Sequence, residues 1–386
     1  MTAPAVLFTD AQHRKTLAAV RSLGRRGIRV AAGECSALAL TFFSRYCTGR
    51  VVYPNPESHP EGFVSFLQQY LQQRPGTLLV PMDDAALRAI NRHRDRLERW
   101  LGGMLPAPDR LQVALDKLEC ARAGRAAGLA VPEFWEPEEA RRLRPSPPLL
   151  VRPRYSSGGR GITLVRDPSE LEGTLQAVQA RYGPVMVQRY VGRGDKYNVA
   201  LLFDRAGRLR ASFVERELRC YPPEWGPGTV QQSVWRPDLV AASLKLLRSL
   251  GWVGLAEVDF MEDPATGVSW FMEINPRFWA SVQLAISSGV DFPHLYYLLA
   301  TGARVSTHTR YRVGLRCRWL LPGELLYWLR QRRQGLPPDF WRWDRDTVPD
   351  IPARDDPGPV LGFWLTCLPY LLDARRREFV LRRESR

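Results

Sequence analysis

Trp270-Phe271-Met272-Glu273-Ile274-Asn275-Pro276-Arg277 decides the reading of this chain. An apolar strand pattern runs into a carboxylate, an amide and a guanidinium. Upstream, Val258-Asp259-Phe260 sets another carboxylate in a second apolar run, and Asp263-Pro264-Ala265-Thr266-Gly267 between them reads as a turn. The three pieces predict a β-hairpin. Side chains alternate along a strand, so Glu273 shares a face with Asn275, and Glu257 with Asp259. A register that puts both pairs on one side crowds three carboxylates, and like charges at that range need a cation. An oxygen-only donor set suits Mg²⁺, which takes one or two carboxylates and completes its shell with water and substrate phosphate. Arg277 then stands where a planar fork can meet a phosphate. A solvated acidic hairpin face is the alternative that the pattern alone leaves open.

With 386 residues the chain can hold two or three domains. Its net charge of +15 favours an anionic partner: nucleotide, nucleic acid or membrane surface. Of its 55 basic residues only Lys15, Lys117, Lys196 and Lys245 are lysine, which reads as compositional bias toward arginine. No basic helix, heptad repeat or aromatic RNA-binding motif is present, so no nucleic-acid partner is expected. No 18-residue apolar run appears, and the first ten residues lack the basic and apolar regions of a signal peptide. The six cysteines are scattered with no C-x-x-C, which argues for reduced thiols and against a zinc site. A cytoplasmic location is expected.

Residues 1–110 read as an open parallel α/β unit. Strands are expected over 6–9, 28–32 and 77–81, and helices over 15–23 and 63–71, the first stopped near Gly24 and Gly27. Ligands in such sheets sit beyond the strand ends, so Thr9, Asp10, Met82, Asp83 and Asp84 are candidate contacts or, equally, helix caps and turn formers. Asp116-Lys117 opens a helix that fades between Gly124 and Gly128. Strands are expected over 149–153 and 185–191, a strand pair over 197–203 and 209–215, a helix over 239–250, and mostly helix over 280–300. The segment 217–229 reads as a loop over an acceptor site or, equally, as a flexible surface loop with structural prolines. Its arginine neighbours favour an anionic substrate. Beyond 305 the pattern weakens. Residues 361–372 are apolar but too short to span a bilayer, and predict a packing helix rather than an interfacial membrane anchor.

Arg152-Pro153-Arg154-Tyr155-Ser156-Ser157-Gly158-Gly159-Arg160-Gly161-Ile162 joins a strand end to a further strand. Its glycines let backbone N–H groups close on phosphate oxygens. It is neither a P-loop nor a dinucleotide fingerprint, and alone it reads equally as a plain hairpin loop. The series matters more than the loop: Lys117, then Arg152-Pro153, the glycines, Val187-Gln188-Arg189-Tyr190-Val191, Val258-Asp259-Phe260, and Glu273-Ile274-Asn275-Pro276-Arg277. In that order it resembles the ATP-grasp superfamily, which includes D-alanine–D-alanine ligase, biotin carboxylase and carbamoyl-phosphate synthetase. The form Glu273 to Ser281, continued by Ser288-Gly289-Val290-Asp291-Phe292-Pro293, is similar to the bacterial carboxylate–amine ligase branch.

The resemblance implies α/β and α+β architecture: an N-terminal α/β domain over 1–110, a mobile lid subdomain over 111–187, and an antiparallel-sheet subdomain with the metal site over 188–305. Residues 306–386 form an Arg- and Trp-rich extension. It also implies ATP-dependent amide formation through an acylphosphate, with ATP and Mg²⁺ (or Mn²⁺) as cofactors. A nucleotide-binding protein without turnover is the alternative. Lys117 and Arg152 match the two phosphate cations, although the family usually has lysine at the second. Ser157, Gly158, Gly159 and Gly161 match the lid, and Gln188, Arg189, Tyr190 and Val191 the adenine hinge. Asp195 falls near a ribose-binding acid. Asp259, Glu273 and Asn275 match metal ligands, with Arg277 beside the γ-phosphate. Glu273, Asn275 and Arg277 would carry catalysis, and Arg216 or Arg219 would add a phosphate contact. The partners implied are a small-molecule carboxylate and an amine, an amino acid or small peptide, and a homodimer is compatible with the family.

Overall fold

The structure is a computed structural model and describes residues 5–192, 194–222, 226–333 and 335–372. Four strands, β1 (Val6–Phe8), β2 (Val30–Glu34), β3 (Cys47–Val52) and β4 (Leu78–Val80), form a parallel sheet in the order β3-β2-β1-β4. Val6, Leu7, Phe8, Leu79 and Val80 are all buried, as strands covered on both faces require. Helix Arg14–Gly24 follows β1, and Gly27, at φ 75°, turns the chain back in a conformation that a side chain resists. The second strand starts two residues later than expected. Thr9, Asp10 and Asp83 are held within the protein: the Thr9 hydroxyl bonds Asp10 and receives the Met82 amide, and Asp83 pairs with Lys15 at 3.1 Å.

A second sheet holds β5 (Phe134–Trp135), β6 (Leu149–Pro153), β7 (Thr163–Val165) and β8 (Val185–Arg189), antiparallel throughout, in the order β5-β8-β6-β7. Leu149, Val151, Val165 and Val187 pack with Leu175 and Val178 of helix Glu170–Tyr182.

The third and largest sheet has β9 (Asp195–Phe203), β10 (Leu209–Cys220), β11 (Gly228–Ser233), β12 (Gly254–Glu262), β13 (Ser269–Asn275), β14 (Arg316–Arg318) and β15 (Thr347–Pro349). Its order is β13-β12-β9-β10-β11-β14-β15, with only β14–β15 parallel. The expected hairpin is β12–β13. Strand β9 shows how sequence sets the two faces. Tyr197, Val199, Leu201 and Phe203 enter the core beneath helix Pro237–Ser249. On the other face Ala200 and Leu202 join the core shared with the parallel sheet, while Lys196 and Asn198 line a cavity. That half-apolar, half-polar face is what makes a site.

Three readings of the sequence change. The 217–229 loop is mostly strand: β10 runs to Cys220, pairing Glu217 with Gln231 and Cys220 with Gly228 around a bulge. Residues 223–225 of that segment lie outside the described residues. The 280–300 stretch is two helices, Val282–Ser287 and Phe292–Ala300, broken around Gly289 at φ 102°. Past 305, β14 and β15 extend the sheet. The closing helix Gly358–Leu372 packs Phe363 against Leu17, Leu40 and Ile351. Among the described residues no helix is long and apolar enough to cross a membrane.

Candidate functional site

Strand register builds the site. Glu273, Asp259, Asn198, Glu215 and Ser233 are successive cross-strand partners on β13, β12, β9, β10 and β11, forming one polar row across five strands. The next row on one side carries Asn275 and Glu257, and on the other Lys196, Glu217 and Gln231. Rows on one face are about 6.8 Å apart along a strand. The sheet therefore separates Glu257 from the Asp259–Glu273 pair instead of crowding all three carboxylates. Among the described residues no group of three or more His, Cys, Asp or Glu converges as a metal site.

Two cations meet this row from elsewhere. Asp116 caps helix Lys117–Ala126 by accepting from the Leu118 amide at 3.0 Å, and also accepts from Arg154 Nε at 2.9 Å and Tyr155 Oη at 2.7 Å. One carboxylate thus ties the start of the helix to the end of β6. Lys117 Nζ reaches Glu273 Oε2 at 2.9 Å. Arg152, on β6, reaches the same oxygen at 3.0 Å through Nη2 and donates through Nη1 to Gln188 Oε1 at 2.6 Å. Its Nε is buried without a partner. Burial raises the Glu273 carboxyl, but Lys117 and then Arg152 outweigh it and bring it down to about 2. Asp259 goes the other way: burial, then repulsion from Glu273, carries it to about 7. Asn198 and Asn275 donate to its two oxygens at 2.8 and 3.1 Å. Arg277 is fixed by Asp84 at 2.6 Å and donates to Asn275 Oδ1 at 3.2 Å.

Lys117, Arg152, Asn198, Asp259, Glu273, Asn275 and Arg277 line a cavity of about 260 Å³ together with Gly158 and Gly159 of the glycine loop. Both glycines have positive φ, and a Cβ at Gly158 would meet nothing within 4 Å, so the loop is open at that point. Residues 114–281 match the ATP-grasp domain family. The chain carries an ATP-grasp domain.

Within the ATP-grasp domain the site residues foreseen from sequence divide into two groups. Lys117, Arg152, Gly158, Gly159, Asp259, Glu273, Asn275 and Arg277 come together on the cavity wall. Ser157, Gly161, Gln188, Arg189, Tyr190, Val191 and Asp195 are not on that wall. Gly161 packs against Pro153 and Tyr182. Gln188 is buried and spends its carbonyl on Arg152. The Arg189 and Tyr190 amides donate to Glu133 O at 2.7 Å and Pro148 O at 3.1 Å. Asp195 pairs with Arg216 at 2.7 Å, and Arg219 is directed to Glu324 and Asp339. Sequence reasoning missed Arg14, Lys196, Asn198, Glu215 and Gln231, which also line the cavity. Arg14 reaches it from the first helix, held by Asp350 at 2.7 Å and Gly228 O at 2.9 Å.

Similar proteins of known function include carboxylases and ligases. The chain is 28% identical over 138 residues, 34% of its length, to acetyl-CoA carboxylase 2 of Oryza sativa subsp. japonica, and covers 6% of that protein. It is 29% identical over 198 residues, 46% of its length, to a D-alanine–D-alanine ligase of Synechococcus sp. (strain JA-3-3Ab), and covers 59% of it. The fold is similar to N5-carboxyaminoimidazole synthetase from Staphylococcus aureus complexed with ADP: TM-score 0.64, 14% identity, with 82% of each chain covered.

The donor set fits a hard divalent cation. Two carboxylates and an amide oxygen suit Mg²⁺ completed by phosphate and water, and the raised Asp259 carboxyl beside Glu273 marks a place where an added positive charge relieves repulsion. Asn275 Oδ1 would exchange its bond from Arg277 for the cation.

Proposed function

We propose that this protein is an ATP-dependent ligase that joins a small-molecule carboxylate to an amine. The observation that carries the reading is the convergence of Lys117 and Arg152 on one oxygen of Glu273, beside Asp259, Asn275 and the open glycine loop. Two cations fixed on one carboxylate oxygen are poised to share themselves with phosphate oxygens. Mg²⁺, when bound by Asp259, Glu273 and Asn275, supplies neutralisation of phosphate charge.

In the first step a carboxylate oxygen of the substrate bonds to the γ-phosphorus of ATP, and the bond from that phosphorus to the ADP oxygen breaks. Lys117 and Arg152 hold the phosphate oxygens in place and offset their charge, and Arg277 faces the transferred group. In the second step the amine nitrogen bonds to the acyl carbon, loses a proton, and the C–O bond to phosphate breaks. The loop at Gly158 and Gly159, once folded over the bound phosphates, would exclude water that hydrolyses the acylphosphate. The work is positioning and charge neutralisation, and no side-chain nucleophile is required. The kinship to a D-alanine–D-alanine ligase supports this reading of the reaction. The test is an ADP-release screen with amino acids and small carboxylates offered in pairs with amines, followed by mass detection of the product. A pair that yields ADP and the matching amide is expected. ADP release that never depends on both partners contradicts ligation.

A further inference from the structure

The arginine-rich surroundings of the cavity suggest an anionic acceptor, but the cations that line it are already engaged. Arg14 is held by Asp350, Lys196 by Glu217 at 3.1 Å and Arg277 by Asp84, while Lys117 and Arg152, on Glu273, are taken by the phosphates in the ligase reading. The groups left over are acceptors. Glu257 is 6% exposed, and the cations that act on it through space, Arg277 and Lys15, have their direct partners elsewhere, in Asp84 and Asp83. Glu215 is 1% exposed, its two hydrogen-bond donors, Ser281 Oγ and Trp279 Nε1, are neutral, and Arg14 acts on it only through space. Gln231 is 3% exposed, and its Oε1 is buried with no partner at all. All three line the cavity. A buried carboxylate whose neighbouring cations are committed to other partners is costly, and a buried acceptor without a donor is costly as well. Such groups are retained where a ligand completes them.

We infer that the acceptor end of the cavity recognises a diamine or polyamine, with Glu257 and Glu215 each holding an ammonium group and Gln231 Oε1 accepting a further N–H. The placement suits an elongated cation. Glu257 and Glu215 stand on strands separated by β9 and in adjacent rows, and Gln231 lies one row and one strand beyond Glu215. Two strand spacings and one row place the two carboxylates' Cα atoms about 12 Å apart, with their β9 partners Ala200 and Asn198 between them and both residues on the cavity wall. One ammonium stays bound as an anchor while the other passes a proton to the carboxylate that holds it and is presented as a free amine to the acyl carbon. A monoamine has no second group to anchor, and an α-amino acid brings a carboxylate that would face Glu215 and Glu257.

This inference rests on the ligase reading for its use of the amine, but amine binding is measured without nucleotide. Isothermal titration of the full chain with 1,4-diaminobutane, spermidine, n-butylamine and glutarate tests it. We expect saturable binding of the two polyamines, at least ten-fold tighter than n-butylamine, and none of glutarate. Glu257→Gln, isosteric and free of the buried charge, should weaken polyamine binding ten-fold or more. Gln231→Met, which removes a neutral acceptor, should weaken spermidine several-fold and serves if the first variant fails to fold. No preference for polyamines, tighter glutarate binding, or unchanged affinity in both variants overturns the inference. Polyamine binding without ADP release in any pairing would leave the subsite standing and defeat the ligase reading. ADP release with amines that is indifferent to Glu257 and Gln231 would do the reverse.

Discussion

Replacing Arg152 by methionine probes the charge arrangement on which the nucleotide site depends. The side chain is 5% exposed, sits 3.0 Å from Glu273 and satisfies Gln188 at 2.6 Å. Its neighbourhood brings the Glu273 carboxyl from 4.5 to about 2. At about 1.4 kcal/mol per pH unit, that shift corresponds to roughly 3 kcal/mol of preference for the carboxylate. Lys117 supplies the larger electrostatic share and remains in the variant. The loss of one of two cations, plus a buried amide oxygen left without its donor, then costs about 3 kcal/mol at pH 7. Urea unfolding without nucleotide reads this as a drop in unfolding free energy. Adding Glu273→Gln to Arg152→Met removes the charge left underpaired, so the double variant should recover about half of the loss. The four proteins form a double-mutant cycle. If the two single costs simply add, Arg152 and Glu273 are not coupled and the convergence on one oxygen has no energetic meaning.

Two other perturbations follow from packing and titration. Gly124→Ala should gain about 1 kcal/mol of helix propensity yet lose about 1–3 kcal/mol net through overpacking, because the new Cβ would lie 2.4 Å from the Phe271 ring; a rise in Tm would contradict that contact. Burial holds the Glu215 carboxyl at about 8 against an ordinary 4.5. The folded state therefore keeps a proton that the unfolded chain releases, and this contribution is complete below about pH 4.5 and lost as pH rises through 8. Glu215→Gln should flatten that part of the stability profile, and an unchanged slope would mean that Glu215 does not titrate there.

The hairpin β12–β13 was legible because period-two alternation and a Pro-Gly turn agree over a short span. Lys117, Arg152 and Gly158–Gly159 stood out because charge and glycine interrupt apolar patterns. Asn198, Glu215 and Gln231 did not stand out, since each is an ordinary polar residue in mid-strand until register lines it up with Asp259 across neighbouring strands. That register is a long-range property of the sheet, absent from any local window. The loop over 217–229 was drawn too long because Tyr221-Pro222-Pro223 signals a turn strongly, whereas the alternation of Glu215, Glu217 and Arg219 toward it signals strand only weakly. Strands β14 and β15 are three residues each and owe their existence to an edge already formed by β11. Arg14 could not be placed in the cavity from its helix alone, because Gly228 and Asp350, which aim it, are far away in sequence.

On the proposed reading, the polar row ending at Glu273 binds a nucleoside triphosphate with Mg²⁺. Titration of the protein with a non-hydrolysable ATP analogue, with and without Mg²⁺, measures it directly in the wild type, Lys117→Ala and Glu273→Gln. Binding should be saturable, strengthen with Mg²⁺ and weaken about 100-fold in each variant, the loss of roughly 2.7 kcal/mol of charge-assisted contact. Binding that is absent from the wild type, or that is the same without Mg²⁺ and in both variants, would contradict it.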